Sequence, residues 1–171
     1  MRTALIIIAQ NGYQDVELAG TQNALLHAGF EVTIASKEEG VCMGKFDGTE
    51  EALLAMRDVD PLAYDVLAFI GGPGAHALAE DKEAIVLAQA RNDTGKLLGA
   101  ICIAPTILAA GGILENRHAS VWDDGKGTQK AFLEERGATY VDQPVTVDGR
   151  IVTANGPEAA EEFGKTLAAM A

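Results

Sequence analysis

The sequence predicts a single doubly wound α/β domain, three layers deep, around a mostly parallel sheet. Three observations carry this prediction. Strand-length apolar runs recur along the whole chain, helical patterns separate them, and 171 residues with 48% hydrophobic and 22% charged composition are enough to bury one core without disulfides. Strands alternating with helices pair in parallel through crossovers, and the helices then cover both faces of the sheet.

Arg2 to Ala9 reads as a first buried strand, and Gly29 to Ala35 as a second. The helical pattern of Val16, Leu18, Ala19, Ala24, Leu25 and Ala28 between them completes a βαβ unit, with Gly29 placed to end the helix. Ser36 to Leu62 is broken up by Gly40, Gly44 and Gly48, and a short hairpin is expected around Val41 to Phe46. Tyr64 to Ile70 is a further buried strand that stops at Gly71-Gly72-Pro73-Gly74, followed by a helix over Ala84 to Ala90. Lys96 to Cys102 is the next strand and runs at once into a helix over Pro105 to Ala110. Val145 to Thr153 carries the Asp148-Gly149 signature of a two-residue hairpin turn, and Pro157-Glu158 opens a last helix.

Composition excludes several classes of function. A formal net charge of −12, with thirteen scattered Lys and Arg against twenty-five Asp and Glu, repels a phosphate backbone, so no nucleic-acid partner is expected. The run Ala4 to Ala9 is strand-length rather than signal-length, and charges or Gly/Pro interrupt every other apolar stretch. A cytoplasmic protein without a membrane partner is the expectation. Cys42 and Cys102 stand far apart in unlike contexts, which suits neither a disulfide framework nor a CxxC pair. His27, His76 and His118 lack metal-ligand spacing, so no metal is expected.

In an open α/β sheet, ligands gather at the carboxyl ends of the strands. Cys102 occupies such a position, where a strand turns directly into a helix whose N–H groups would lower its pKa. The alternative is a buried core thiol, cysteine being among the most buried residue types. Glu17, in the first turn of the first helix, could turn inwards over the strand ends. A solvated first-turn acid is the more common role there, and neighbouring Asp15 fits it better still. Gly71-Gly72 would let backbone N–H groups approach an anion, although a glycine pair after a strand is more often only a tight turn. The loop lacks the later glycines and lysine of a phosphate-binding or dinucleotide motif. His76 stands just beyond it. Cys42, in a glycine-rich stretch expected to be exposed, is read as incidental.

Together these positions resemble the ThiJ/PfpI (DJ-one) superfamily, which shares the flavodoxin-like fold of class I glutamine amidotransferases. Gly99-Ala100-Ile101-Cys102-Ile103-Ala104-Pro105 is similar to its Ala-Ile-Cys-x-x-Pro elbow, and Gly71-Gly72-Pro73-Gly74-Ala75 to its glycine loop. Asp15-Val16-Glu17 resembles its acid motif, and Val147 to Pro157 its C-terminal hairpin and Gly-Pro helix start. The resemblance implies that Cys102 is the nucleophile, that Glu17 is its acid/base partner, and that the Gly72 and Ile103 N–H groups form an oxyanion site. By the same resemblance Gly71, His76, Trp122, Gly156 and Pro157 would line the pocket, and the protein would form a homodimer or larger homo-oligomer.

Two departures bear on activity. Peptidase-like members carry a histidine directly after the cysteine, where this chain has Ile103, so a peptidase loses its base. Deglycase-like members carry a histidine after the elbow helix, where Trp122 stands here, and His118 would lie about 13 Å away along a strand. His76 is the one histidine that the glycine loop could bring towards Cys102, within the chain or across a dimer interface. The resemblance therefore implies first a cofactor-independent glyoxalase or deglycase acting on small electrophilic carbonyls. A cysteine-based oxidative-stress sensor or chaperone is the second reading, and an amidase, peptidase or isonitrile-hydrating enzyme the third.

Overall fold

The computed structural model describes all residues, Met1–Ala171. In chain order the elements are β1 (Arg2–Ile7), β2 (Asn11–Tyr13), α1 (Asp15–His27), β3 (Phe30–Ser36), β4 (Gly40–Gly44), β5 (Thr49–Ala52), β6 (Leu54–Ala55), β7 (Val66–Phe69), α2 (Ala75–Leu78), α3 (Lys82–Asp93), β8 (Leu97–Ile101), α4 (Pro105–Ala110), β9 (His118–Ala119), α5 (Thr128–Glu135), β10 (Thr139–Tyr140), β11 (Val145–Asp148), β12 (Ile151–Ala154) and α6 (Ala160–Met170). Seven strands form the central sheet in the order β11-β12-β8-β7-β1-β3-β6. All neighbours in it run parallel except the β11–β12 hairpin.

Alternation along the buried strands builds the three layers. In β1 and the residue beyond it, Ala4, Ile6 and Ile8 face one core with Leu18 and Leu25 of α1 and Phe163 and Leu167 of α6. Leu5 and Ile7 face the other, with Leu87 of α3, Ile107 and Leu108 of α4 and Leu133 of α5. Each of the Leu, Ile and Phe side chains among them contributes about 1.5–3 kcal/mol when fully buried. Close packing of α1 on α6 holds the start of α1 over the strand ends. A Cβ on Gly20 would sit 2.7 Å from that of Ala160, and one on Gly164 2.7 Å from that of Ala24.

The sequence-predicted strands and helices are present with ends shifted by a few residues, and the segment Ser36 to Leu62 differs most. The hairpin there is β4–β5, turning at Lys45–Gly48, so Val41 to Phe46 supplies only its first strand and the start of the turn. The pair joins β2 in a separate three-stranded sheet above the edge of the main one. The C-terminal hairpin turns on Gly149-Arg150, one residue later than Asp148-Gly149. Asp148 pairs with Ile151 and Gly149 takes φ +60°, as a type II′ turn requires at its first central residue. Pro157–Ala159 is a 3₁₀ turn before α6 rather than part of it. No helix is long and apolar enough to cross a membrane.

Candidate active site

The carboxyl ends of β1, β7 and β8 converge on one small cavity of about 170 Å³, lined by Gln14, Lys45, Gly72, Pro73, His76, Cys102, Ile103, Trp122 and Pro157. Cys102 follows β8 in the left-handed region, at φ +64°. A side chain costs about 1–3 kcal/mol there, and such a residue persists only where its surroundings over-determine it. They do so here: Cys102 N–H donates to the Ala154 carbonyl, and Trp122 N–H donates to the Cys102 carbonyl, each at 2.9 Å. Pro105 at the first position of α4 then starts the helix without a wasted donor. Cys102 is only 5% exposed, as a core thiol would be, yet it lines the cavity.

Glu17 is fully buried, which overturns the role of solvated first-turn acid. Its Oε2 accepts the Gly71 N–H at 2.9 Å. Its Oε1 has no hydrogen-bond donor. Burial pushes the Glu17 pKa up to about 7; interaction with Cys102, the Gly71 N–H and the charge of Lys45 each pull it back only in part. The Cys102 thiol interacts with this carboxyl, and Oε1 has no other donor, so Oε1 is an acceptor next to a proton source.

The expectation of a depressed Cys102 pKa is not met. Burial first, then the charge of Glu17 and its interaction with the thiol, push the thiol up, and the Gly72 and Ile103 N–H groups offset this only partly. A six-residue helix start cannot outweigh desolvation beside a carboxylate. The same two N–H groups do face the sulfur, and neither donates to a backbone carbonyl. They are therefore available to an anionic oxygen formed on a group attached to Cys102.

The glycine loop lies this close because Gly71 and Gly72 carry no side chains. A Cβ on Gly71 would stand 2.5 Å from that of Cys102 and 2.7 Å from the Ile101 carbonyl oxygen; one on Gly72, where φ is +102°, would stand 2.5 Å from the Gly12 carbonyl oxygen. Gln14 N–H to the Gly71 carbonyl, and Gly74 N–H to that of Gly12, tie the loop to β2 and the start of α1.

His76, Trp122 and Pro157 line the cavity, and His76 does so within its own chain. Gly71 acts behind it, through Glu17. Gly156 is not among the lining residues but lies beneath Trp122, where a Cβ would be 3.4 Å from the indole Cδ1. His118 is exposed and engaged with Asp148, away from the site. Asp15 is not a solvated acid: its carboxylate accepts the Phe46 and Gly48 N–H groups at 2.8 and 2.9 Å and so anchors the β4–β5 turn. Cys42, expected to be exposed, is fully buried, because the pleat of β4 turns its side chain inwards between outward-facing Val41 and Met43.

Sequence reasoning missed Gln14, Pro73 and Lys45. Lys45 arrives on the hairpin turn from the glycine-broken segment, where no periodicity signals its position. A larger groove of about 500 Å³ lies between the Met56–Pro61 turn and α3, but it contains no nucleophile, and Lys37 there is neutralised by Asp81 and Glu83.

A cysteine on a strained strand-to-helix elbow, beside a buried carboxyl at the end of a doubly wound parallel sheet, defines an α/β protein of the elbow-cysteine class. The chain matches the DJ-1/PfpI family over residues 2–170 and belongs to it. It is 32% identical over 163 residues to the glutathione-independent glyoxalase DJR-1.2 of Caenorhabditis elegans, covering 95% of this chain and 84% of that protein. It is 30% identical over 157 residues to the deglycase PfpI of Pyrococcus furiosus, covering 90% of each. Among solved structures it resembles a ThiJ/PfpI domain protein from Brachyspira murdochii, with a TM-score of 0.93 at 26% identity over 98% of this chain and 95% of that one. Drosophila melanogaster DJ-1beta gives 0.87 at 28% identity, over 98% and 88%.

Proposed function

We propose that this protein is a cofactor-independent cysteine enzyme of the glyoxalase or deglycase type, acting on small reactive carbonyls. The observation that carries the reading is the Oε1 of a buried carboxyl, without another donor and with a pKa near 7, beside the thiol of Cys102. A proton acceptor poised near neutral pH removes the need for a resting thiolate. The sulfur adds to the aldehyde carbon of an α-oxoaldehyde such as methylglyoxal while the thiol proton passes to Glu17. The Gly72 and Ile103 N–H groups hold the developing alkoxide, which is then protonated to a hemithioacetal. The hydrogen on that carbon leaves as a proton and one is returned to the neighbouring carbonyl carbon, converting hemithioacetal to thioester. Water hydrolyses the thioester and restores the thiol. The net change is addition of one water, giving lactate, with the aldehyde carbon oxidised and its neighbour reduced.

The names of the two relatives support this reading. The raised pKa and burial of Cys102 weigh against a peroxide sensor, which needs an accessible thiolate. Ile103 beside the thiol leaves a peptidase without an adjacent base. The test is lactate formation from methylglyoxal by the wild type, Cys102→Ser and Glu17→Gln proteins. Turnover abolished by the first change and lowered about 100-fold or more by the second is the expected result. Absence of turnover in the wild type overturns the reading.

A further inference from the structure

Two cavity-lining residues have no part in that chemistry. The side-chain oxygen of Gln14 accepts the Val16 and Glu17 N–H groups at 2.6 and 3.0 Å, capping α1. Two donors on one atom identify it as the oxygen and leave Nε2 as a donor. That nitrogen makes no hydrogen bond within the protein, and the little of Gln14 left exposed, 6%, belongs to a residue that lines the cavity. Lys45 lines the same cavity from its exposed side, with Nζ over the Phe46 ring at 5.3 Å to the centroid and no carboxylate within 4.0 Å. Its turn is pinned by Asp15 through Phe46 and Gly48, so its position is built rather than incidental. In a chain of net charge −12, an unneutralised cation beside an unused, nearly buried amide donor forms a local site for an anion.

We propose that the cavity selects α-oxoaldehydes bearing a carboxylate, held by Lys45 Nζ and Gln14 Nε2 while the aldehyde reaches Cys102. This rests on the carbonyl chemistry proposed above and narrows its substrate class. One donor for each carboxylate oxygen matches the ligand, and a cavity of about 170 Å³ suits a short chain. The five-carbon 4,5-dioxopentanoate meets these requirements. Addition of its aldehyde to Cys102, proton transfer from that carbon to the adjacent carbonyl carbon, and hydrolysis would add one water and give 2-hydroxyglutarate, with no external oxidant or reductant.

The experiment compares kcat/KM for 4,5-dioxopentanoate and for neutral 2-oxopentanal, of equal length, in wild type, Lys45→Gln and Gln14→Glu proteins. Gln14→Glu keeps an oxygen to cap α1 and replaces the donor with a charge. The wild type is expected to prefer the anion by about fivefold or more at low ionic strength, a preference that salt weakens. Lys45→Gln should bring the ratio near one, and Gln14→Glu should reverse it. Lys45 also lowers the Glu17 pKa, but that effect acts on both substrates and cancels in the ratio. A readout independent of turnover is the rate of Cys102 alkylation by iodoacetate relative to iodoacetamide in a Cys42→Ser background, which should fall in both variants and furthest in Gln14→Glu. Ratios unchanged by either substitution overturn the proposal. A fall in the alkylation ratio with no turnover of either aldehyde overturns the carbonyl reading, and the substrate named with it, while leaving the anion site in place.

Discussion

Gly71 N–H donates to Glu17 Oε2 at 2.9 Å, across the gap between the β7 loop and the first turn of α1, and this one bond orients a carboxyl that has no other hydrogen-bond donor. Burial, which this bond offsets only in part, limits what the carboxyl contributes to stability. Raised from 4.5 to about 7, Glu17 keeps its proton in the folded state over a pH window in which the unfolded chain has lost it. The fold therefore binds more protons than the unfolded chain there, and stability falls as pH rises from 4.5 to 7 by up to about 3 kcal/mol. Glu17→Gln should flatten this slope and be more stable than wild type at about pH 8. Urea unfolding at about pH 4.5, 6 and 8 measures it; equal slopes for the two proteins would contradict the assignment.

Activity should follow the same ionisation with the opposite sign. Glu17 accepts the thiol proton only when ionised, so kcat/KM for methylglyoxal should rise with pH and level off above a midpoint near 7. The Glu17→Gln enzyme should lose both this limb and about 100-fold or more in rate. A wild-type midpoint near the pKa of an ordinary carboxylate would mean that the group responsible is not buried Glu17.

The glycine loop gives a steric prediction. Gly71→Ala brings a methyl against the Cys102 Cβ, the Ile101 carbonyl oxygen and Glu17 Oε2, at 2.5, 2.7 and 2.8 Å. None is the far end of a freely moving side chain, so the loop must withdraw, at about 1–3 kcal/mol. The Gly71–Glu17 bond goes with it. Thermal unfolding should show the loss of stability, and residual lactate formation should drop well beyond what the unfolded fraction explains. A Gly71→Ala protein with full activity would show that this close approach is dispensable.

How much of this was legible in the sequence depends on the range of the interactions. β1, α1, β3, β8 and α4 are written in local apolar periodicity, and Cys102 is marked by a strand running straight into Pro105. The burial of Glu17 is not local. It depends on Gly71, fifty-four positions away, and on α6 pressing α1 onto the sheet. Lys45 reaches the cavity because Asp15 holds its turn from a different element, and the inward pleat of Cys42 depends on β4 pairing with β5 rather than on its glycine neighbours. The direction of the Cys102 shift escapes a sequence reading for a related reason. A helix start can be read from sequence, whereas the desolvation and neighbouring carboxylate that outweigh it arise only when three strand ends meet.

A last prediction concerns a charge that no motif announces. Arg91 in α3 is fully buried, and no carboxylate pairs with it. Its guanidinium instead donates to the carbonyls of Pro61, Tyr64, Asp65 and Leu97 at 2.7–3.1 Å, binding the approach to β7, the start of β8 and α3 together. Burial pulls its pKa down to about 10, still far enough above neutral to keep the charge. Arg91→Met would fill much of the volume but leave four carbonyls without their donor, and should destabilise the fold by about 3–5 kcal/mol. Arg91→Lys should recover only part of this, because an ammonium has three donors and cannot reproduce the planar fork. Because Arg91 lies outside the Cys102 cavity, the folded fraction of either variant should keep wild-type kcat for methylglyoxal. Urea unfolding with activity measured at low temperature separates the two effects. An Arg91→Met protein as stable as wild type would mean that those carbonyls are satisfied by water, and that the buried guanidinium does not hold the two strands together.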